Sequence, residues 1–381
     1  MEYRQLGATG LQAGVIGLGC ENLDGKPYDQ VKDTIDAAID SGINIFDVFM
    51  PGKEIREHIA AAIGTRRGKV MIQGHLGSVD LNQKYDISRD LSVVKKYFED
   101  LLRIFGGYID LGMLFFMDSE ADYKGVFETG FADYAKSLKE KGDIGHIGFS
   151  SHNPEMAKRV IETGLPEIMM FSINPAYDML PPDQYILKQL ENGFMPELFR
   201  GIDPKRAELY KLCEQRGIGV TVMKTLGAGK LISAEHTPFQ EPLTVTQCIH
   251  YALTRPAVTS VMVGCQTREE VLDCVGYLNA SKQERDYSRA INTPMNDFRG
   301  NCVYCSHCQP CASNIDIAAV NRYLDIARLD ESNVPPSIRS HYSSLEHGGS
   351  ECSKCGECES RCPFGVKIKQ NMAEAAEIFG R

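Results

Sequence analysis

Short apolar segments alternate with longer segments of helical periodicity over the first 280 residues of the chain. Eight such pairs follow one another, from the apolar segment 15–18 to the helical segment 267–278. Strict alternation of strands and helices is typical of a parallel sheet, and eight units over about 250 residues match a closed (β/α)8 barrel. An open doubly wound sheet is the alternative, but the turn from Gly17 to Asn22 lacks the third glycine of a dinucleotide fingerprint. We therefore predict a (β/α)8 TIM barrel.

The charge and the hydropathy pattern exclude several classes of protein. The chain has 381 residues and a formal net charge of −10, so we expect no general attraction to nucleic acid or to anionic membranes. No apolar stretch is long enough to span a bilayer, and the first residues lack the apolar core of a secretory signal. We expect a cytoplasmic protein, where clustered cysteines indicate metal or redox chemistry.

The C-terminal fifth of the chain is rich in cysteine, since eight of the 13 cysteines lie between Cys302 and Cys362. The second run, Cys352 to Pro363, has the spacing C-x2-C-x2-C-x3-C-P of a bacterial ferredoxin, in which one tight loop wraps an iron–sulfur cubane. The first run, Cys302 to Cys311, has one residue fewer before its last cysteine and no proline after it. We interpret the two runs as the ligands of two [4Fe-4S] clusters.

The expected ligand sets are crossed, because the fourth cysteine of each run in a two-cluster ferredoxin binds the other cluster. One set is Cys302, Cys305, Cys308 and Cys362. The other set is Cys311, Cys352, Cys355 and Cys358. Zinc is the main alternative, since zinc sites also use C-x2-C pairs, although they place two pairs far apart. A disulfide framework is a second alternative, and a reducing compartment argues against it.

The chain divides into three parts by composition. We predict the barrel over 1–280, a polar linker over 281–300 and a two-cluster domain over 301–381. Helical patterns at 317–328 and 336–345 favour a small α-helical ferredoxin-like domain over a compact ferredoxin.

Titratable residues follow several of the predicted strands. The C-terminal ends of the strands form the active-site mouth in (β/α)8 enzymes. The candidate catalytic residues at these ends are Asp47, His75, His152 and Lys224. His75 and Lys224 carry the most weight, because a titratable side chain inside a barrel mouth is seldom structural. The long proline-containing segment 174–203 is predicted to cover this mouth.

Several segments of the first 280 residues resemble the aldo-keto reductases. They are Tyr3 to Leu11, Gly17 to Gly19, Gly42 to Asp47, Ile147 to Ser151 and Met223 to Leu231. With its cysteine-rich tail, the whole chain is similar to the branch of this family that has a C-terminal 4Fe-4S domain and is common in anaerobes.

The resemblance implies a tetrad of tyrosine, lysine, aspartate and histidine, in which the tyrosine protonates a carbonyl as NAD(P)H delivers hydride. The aspartate matches Asp47, but the stretch from Asp47 to Gly52 is two residues shorter than in the family and has no tyrosine. The lysine position holds His75, and the histidine position holds Phe115. Two interpretations of His75 stay open: it replaces the tyrosine as proton donor, or it only hydrogen-bonds Asp47 and fills space.

The resemblance also implies a nicotinamide cofactor, although the chain matches the cofactor-binding positions of the family only in part. The phosphates would lie at the end of the eighth strand, where a helix N-terminus offers an anion site. Two serines after the fifth strand match positions that hold the nicotinamide amide. The candidate cofactor-binding residues are Ser150, Ser151, Asn174, Gly264, Cys265, Gln266 and Arg268. A flavin in the same mouth is the alternative cofactor.

Three functional hypotheses follow from these patterns. The first is a redox enzyme in which two [4Fe-4S] clusters relay electrons to or from the barrel mouth, with a small-molecule substrate and an electron-transfer partner protein. The second is an NAD(P)H-dependent carbonyl reductase with His75 as a substitute acid. The third is a non-catalytic electron carrier with a vestigial barrel.

Overall fold

The computed structural model describes residues 1–81, 84–180, 202–291, 300, 302–328 and 331–381. Its centre is a closed barrel of eight parallel strands, which confirms the predicted fold class for the first part of the chain. The last barrel strand pairs with the first and closes the ring. Around the barrel the strands are β3 (Ile16–Gly19), β4 (Ile45–Val48), β5 (Met71–Leu76), β8 (Ile109–Leu114), β9 (Ile144–Ser151), β10 (Ile168–Ser172), β11 (Gly219–Met223) and β12 (Val258–Val263).

Apolar side chains fill the barrel interior and form a core separate from the one between strands and helices. The N-terminal hairpin of β1 (Tyr3–Gln5) and β2 (Gln12–Gly14) covers the end of the barrel where the strands begin. The chain approaches β11 closely at Gly7, whose φ is +55° and where a Cβ would lie 2.3 Å from the backbone nitrogen of Gly219. Only glycine tolerates that combination of conformation and contact.

Helices surround the barrel, as the periodicity predicts. One predicted helix, 123–141, is instead two helices, Glu120–Phe127 and Phe131–Lys141, because Gly130 takes a left-handed conformation between them. The other helices of this layer are Tyr28–Asp40, Lys53–Ile63, Leu91–Ile104, Pro154–Glu162, Pro204–Arg216, Val245–Leu253 and Arg268–Gly276.

Two segments depart from the strand–helix alternation at the C-terminal ends of the strands. After β5 the chain forms an unpredicted hairpin of β6 (Ser78–Leu81) and β7 (Lys84–Ile87). After β10 a short helix, Pro175–Asp178, begins the long segment 174–203. The prediction that this segment covers the mouth falls mainly on 181–201, which lie outside the described residues.

The C-terminal part is helical and packs against the barrel. The predicted linker contains the short helices Lys282–Arg285 and Ser288–Ile291, with Tyr287 fully buried, and its residues 292–299 lie outside the described ones. The helices that follow are Ile317–Ala327, Pro336–Ser343, Glu357–Arg361 and Ile368–Phe379. A salt bridge of 3.2 Å from Arg322 to Glu214 joins this part to the barrel helix Pro204–Arg216. No helix among the described residues is long and apolar enough to cross a membrane.

Candidate functional site

A cavity of about 510 Å³ opens at the C-terminal ends of the barrel strands, and we call it the barrel mouth. All eight barrel strands contribute residues of the strand or of the loop that follows it, so the residues that line the cavity come from distant parts of the sequence. This is the position in which (β/α)8 enzymes carry their catalytic groups. All four candidate catalytic residues predicted from the sequence line the mouth: Asp47, His75, His152 and Lys224.

Asp47 and His75 contact each other at the base of the mouth. The carboxylate of Asp47 is 3 % exposed, and its Oδ1 lies 2.7 Å from Nε2 of His75 and accepts a 2.7 Å hydrogen bond from the amide of Gln73. Thr221 in turn donates to the amide oxygen of Gln73 at 3.1 Å. The second ring nitrogen of His75, Nδ1, is buried without a partner among the described residues. Neither nitrogen of His75 therefore faces open space in the mouth.

Aromatic rings form one wall of the mouth above His75. The ring of Phe115 meets His75 edge-on at 5.2 Å and stacks on Phe49 at 5.8 Å. Tyr85, from the unpredicted hairpin, packs its ring at 6.1 Å from Phe115 and at 5.7 Å from Phe49. Burial raises the pKa of Tyr85. The sequence pattern did not indicate this tyrosine, because the hairpin interrupts the strand–helix alternation.

A second buried histidine–carboxylate pair lies beside this wall. Nδ1 of His152 lies 2.8 Å from Oδ2 of Asp118, whose Oδ1 accepts hydrogen bonds from the His152 backbone at 2.6 Å and the Ser151 hydroxyl at 2.8 Å. Burial favours a higher pKa for Asp118, but His152 and these hydrogen bonds outweigh it and lower the pKa below its usual range. Nε2 of His152 has no hydrogen-bond partner in the described part of the chain and is not sealed from the cavity.

Lys224 sits at the rim of the mouth after β11. Its backbone takes a left-handed conformation with φ of +61°, and its ammonium group lies 3.7 Å from the carboxylate of Glu21 across the cavity. Asn174 holds this corner by donating a 2.8 Å hydrogen bond to the Lys224 carbonyl. The side-chain oxygen of Asn174 accepts from the backbone of Tyr177 at 2.9 Å and so caps the short helix Pro175–Asp178.

The predicted cofactor-binding residues are only partly brought together. Ser150 lines the mouth, and its hydroxyl accepts a 2.9 Å hydrogen bond from the Phe116 backbone. The structure uses Ser151 to hold Asp118 and uses Asn174 as a helix cap, and neither lines the cavity. Arg268 also lies outside it, in an ion pair of 3.5 Å with Asp33. The remaining three candidates do line the mouth: Gly264, Cys265 and Gln266.

The end of the mouth expected to bind phosphate carries acidic side chains. Glu270 accepts a 2.6 Å hydrogen bond from the backbone of Gln266, so a carboxylate of the chain itself occupies the N-terminus of the helix Arg268–Gly276. Asp273 also lines this end, beside two buried cysteines, Cys265 and Cys274, whose sulfurs lie 3.9 Å apart. These negatively charged carboxylates would repel the phosphates of a dinucleotide.

The eight cysteines of the C-terminal part lie around two separate small cavities. One cavity is lined by Cys302, Cys305, Cys308 and Cys362, which we call the first thiol group. The other is lined by Cys311, Cys352, Cys355 and Cys358, which we call the second thiol group. The structure brings together the same two combinations of cysteines that the sequence predicts, and their role as cluster ligands stays a prediction.

The two thiol groups share a backbone conformation. The residue before the second cysteine of each run, Tyr304 or Lys354, has φ near +60°. The residue after that cysteine also has a left-handed backbone. In this conformation the backbone N–H of Lys354 donates to the sulfur of Cys352 at 3.4 Å. Successive N–H groups that point inward form a cradle for negative charge.

No three Cys, His, Asp or Glu side chains among the described residues lie close enough to hold a single metal ion. A zinc site needs four sulfurs drawn to about 2.3 Å from one ion.

Comparisons with known proteins bear on the barrel. A model of the aldo/keto reductase family matches residues 14–244. The protein named "uncharacterized oxidoreductase YqkF" of Bacillus subtilis is 24 % identical over 319 residues, which cover 77 % of this chain and 96 % of that protein. Aldo-keto reductase YhdN of the same organism is 25 % identical over 206 residues, covering 51 % of this chain and 58 % of YhdN.

A solved structure supports the same assignment of the fold. The holo form of aldo-keto reductase AKR11C1 from Bacillus halodurans has a TM-score of 0.58 at 20 % identity and covers 75 % of this chain and 94 % of its own. At that identity the likeness shows the barrel fold, while the family match extends over more than half of the sequence. The chain therefore belongs to the aldo/keto reductase family.

Proposed function

We propose that this chain is an iron–sulfur oxidoreductase whose C-terminal part exchanges electrons with the barrel mouth. The observation that carries the proposal is the pair of cavities, each lined by four cysteines in the combination that two-cluster ferredoxins use. When bound, two [4Fe-4S] clusters would supply one-electron transfer. The first thiol group would hold one cluster and the second thiol group the other.

The chemistry of the donor sets supports iron–sulfur over zinc. Each set consists of four thiols, and in the second set the backbone N–H of Lys354 donates to the sulfur of Cys352, which is the kind of hydrogen bonding that tunes iron–sulfur sites. Each cavity combines three cysteines of one run with the last cysteine of the other, whereas zinc sites use two C-x2-C pairs. The alternative of zinc, which the sequence left open, is therefore less well supported.

A buried chain of contacts leads from the first thiol group toward the mouth. The hydroxyl of Tyr287 donates to the carbonyl of Val303, the residue after Cys302, at 3.1 Å. The ring of Tyr287 packs at 5.1 Å against Tyr251, whose hydroxyl donates to Asp178 at 2.8 Å.

Asp178 continues this chain to the rim of the mouth. Its backbone donates to Asn174 at 3.0 Å, and Asn174 holds the carbonyl of Lys224. Tyr251, Asp178 and Tyr287 are all fully buried. The contacts are therefore continuous between the cysteine loop and the lysine that lines the cavity.

The residues of the mouth supply acid–base chemistry without the usual tyrosine. His152 is held by Asp118 through Nδ1, and its Nε2 is the ring nitrogen free to give or take a proton in the cavity. His75 has one nitrogen on Asp47 and the other closed off, so its proposed role is to hold Asp47 in place. The hypothesis of a carbonyl reductase with His75 as acid is therefore the weaker one.

Anaerobic purification followed by iron and sulfide counting tests the proposal. We expect about eight irons per chain, with Cys362→Ser disturbing the cluster of the first run and Cys311→Ser disturbing that of the second. Cys213→Ala, in the barrel core, is the matched control and should leave the iron content unchanged. Fewer than four irons per chain, or bound zinc, would refute the proposal.

Titration of the same protein with NADH and NADPH separates the remaining hypotheses. The acidic end of the mouth predicts weak or no binding of either dinucleotide. Tight NADPH binding with aldehyde reduction that disappears in His75→Phe would instead support the carbonyl reductase. Reducible clusters without any ligand in the mouth would support a non-catalytic carrier in a cytoplasmic electron chain.

A further inference from the structure

The two thiol groups differ in what surrounds them. The loop of the first thiol group faces the barrel, with Val303 1 % exposed and Tyr304 8 % exposed. In the second thiol group the corresponding residues, Ser353 and Lys354, are exposed, and so is Cys355. The first thiol group is therefore the barrel-side group, and the second is the solvent-side group.

A buried arginine of the barrel lies against the loop of the first thiol group. Arg255 is 3 % exposed and donates to the carbonyl of Val303, between Cys302 and Cys305. Its guanidinium group lies 5.6 Å from the ring centre of Tyr304 and 4.3 Å from that of Tyr251. It also donates to the Tyr287 hydroxyl at 3.3 Å.

No carboxylate within the described part of the chain forms an ion pair with Arg255, and its Nε is buried without a partner. The carboxylate of Asp178 is near enough to raise the pKa of Arg255, but its ion pair is with Arg206 at 2.9 Å. Asp286, on the other side of the cysteine loop, pairs with His307 at 3.0 Å. A buried charge without an ion-pair partner of its own is costly, and buried charges in proteins are generally paired or lie beside a metal centre.

We infer that Arg255 is the counter-charge of the cluster held by the first thiol group and makes that cluster the higher-potential member of the pair. The inference rests on the proposed function, since it requires a cluster there. Four thiolates give an iron–sulfur centre a net negative charge. That charge would supply the ion-pair partner that Arg255 lacks among the described residues. A fixed positive charge beside such a centre stabilises the reduced form and raises its reduction potential.

The inference also implies a direction of electron flow through the C-terminal part. Electrons from a one-electron carrier protein would enter at the solvent-side group, where Cys355 is exposed, and move toward the barrel-side group of higher potential. The reaction in the mouth would then be a reduction of the substrate.

A potentiometric titration followed by electron paramagnetic resonance tests the role of Arg255. Arg255→Met removes the charge and should lower one midpoint potential by about 59 mV, a tenfold change in a one-electron equilibrium, while the other stays constant. Arg255→Lys retains the charge and should recover most of the shift. The control Arg328→Met removes a half-exposed arginine that pairs with Glu374, and should move neither potential.

The assignment to one cluster uses Cys355→Ser, which alters the signal of the solvent-side group. The shifted potential must belong to the signal that Cys355→Ser leaves unchanged. Selective loss of four irons in Arg255→Met, with the barrel still folded by circular dichroism, would also support the inference. Two unchanged potentials, or an equal shift of both, would overturn it while leaving the proposed function intact. A wild-type chain without clusters would instead refute the proposed function.

Discussion

At the scale of single residues, the mouth contains two buried histidine–carboxylate pairs with different access to the cavity. His75 uses Nε2 on Asp47 and has Nδ1 closed off, whereas His152 uses Nδ1 on Asp118 and keeps Nε2 at the cavity. The same two residue types therefore support different roles, and access decides which imidazole can exchange a proton with a ligand.

The Asp118–His152 pair should make stability depend on pH in the acid range. The pKa of Asp118 is lower in the folded chain than in the unfolded chain, so its stabilising effect is complete above the usual value of about 4 and disappears as the pH falls below it. Asp118→Asn should therefore lower the melting temperature at pH 7 and flatten its decline between pH 5 and 3. Parallel melting curves for both proteins over that range would contradict this account.

Removal of His75 should destabilise the barrel without unfolding it. His75→Phe takes one of two hydrogen-bond donors from the buried carboxylate of Asp47, and we expect a loss of about 1–3 kcal/mol in the free energy of unfolding. Urea denaturation measures this loss, with the exposed His236→Phe as the control. A variant as stable as the wild type would show that the hydrogen bond to Asp47 contributes little.

At the scale of elements, the cysteine loops depend on left-handed backbone at positions that are not glycine. Such conformations cost about 1–2 kcal/mol in most residues, whereas the glycine at Gly356 takes one without that cost. The repeated conformation in both loops was not evident from the cysteine spacing, because residues as different as Tyr304 and Lys354 occupy the equivalent positions.

Lys354→Gly should strengthen the loop of the second thiol group. Lys354 has φ of +59°, so glycine removes steric strain and we expect slower loss of iron to a chelator. Lys354→Val should accelerate the loss, since a branched side chain tolerates this conformation poorly. Lys367→Gly is the matched control, because Lys367 has φ of −76° and gains nothing from glycine. Equal rates in all three variants would exclude backbone strain as a factor.

At the scale of the whole molecule, the sequence pattern was sufficient for the barrel but not for the contents of its mouth. The alternating periodicity indicates which face of each element is buried, and it correctly predicted all eight barrel strands. Partners such as Asp118 and His152 lie 34 residues apart and meet only because β8 and β9 are neighbours. The hairpin that carries Tyr85 and the contact of Arg255 with the tail depend on loop conformations that leave no periodic signal.

A single salt bridge should contribute measurably to the packing of the C-terminal part against the barrel. Glu214 is 10 % exposed and pairs with Arg322, and it also accepts from the backbone of Ala257 at 3.2 Å. Glu214→Gln should weaken the contact by about 1.5 kcal/mol, since Arg322 is partly exposed. Limited proteolysis should then cleave between barrel and tail faster than in the control Glu208→Gln, which changes an exposed glutamate of the same helix. Identical cleavage rates would show that other contacts hold the tail.

The exposed Cys355 also implies an order of damage in air. Oxidation of sulfur ligands follows their accessibility, so oxygen should attack the solvent-side group before the group that the barrel covers. If the chain holds the two clusters of the proposed function, iron counted against time in air should fall in two phases, with a plateau near four irons per chain, whereas a single phase would mean that the barrel gives no protection. Under the proposed function, a preparation handled briefly in air would therefore keep one cluster, and its spectra would describe only the centre beside Arg255.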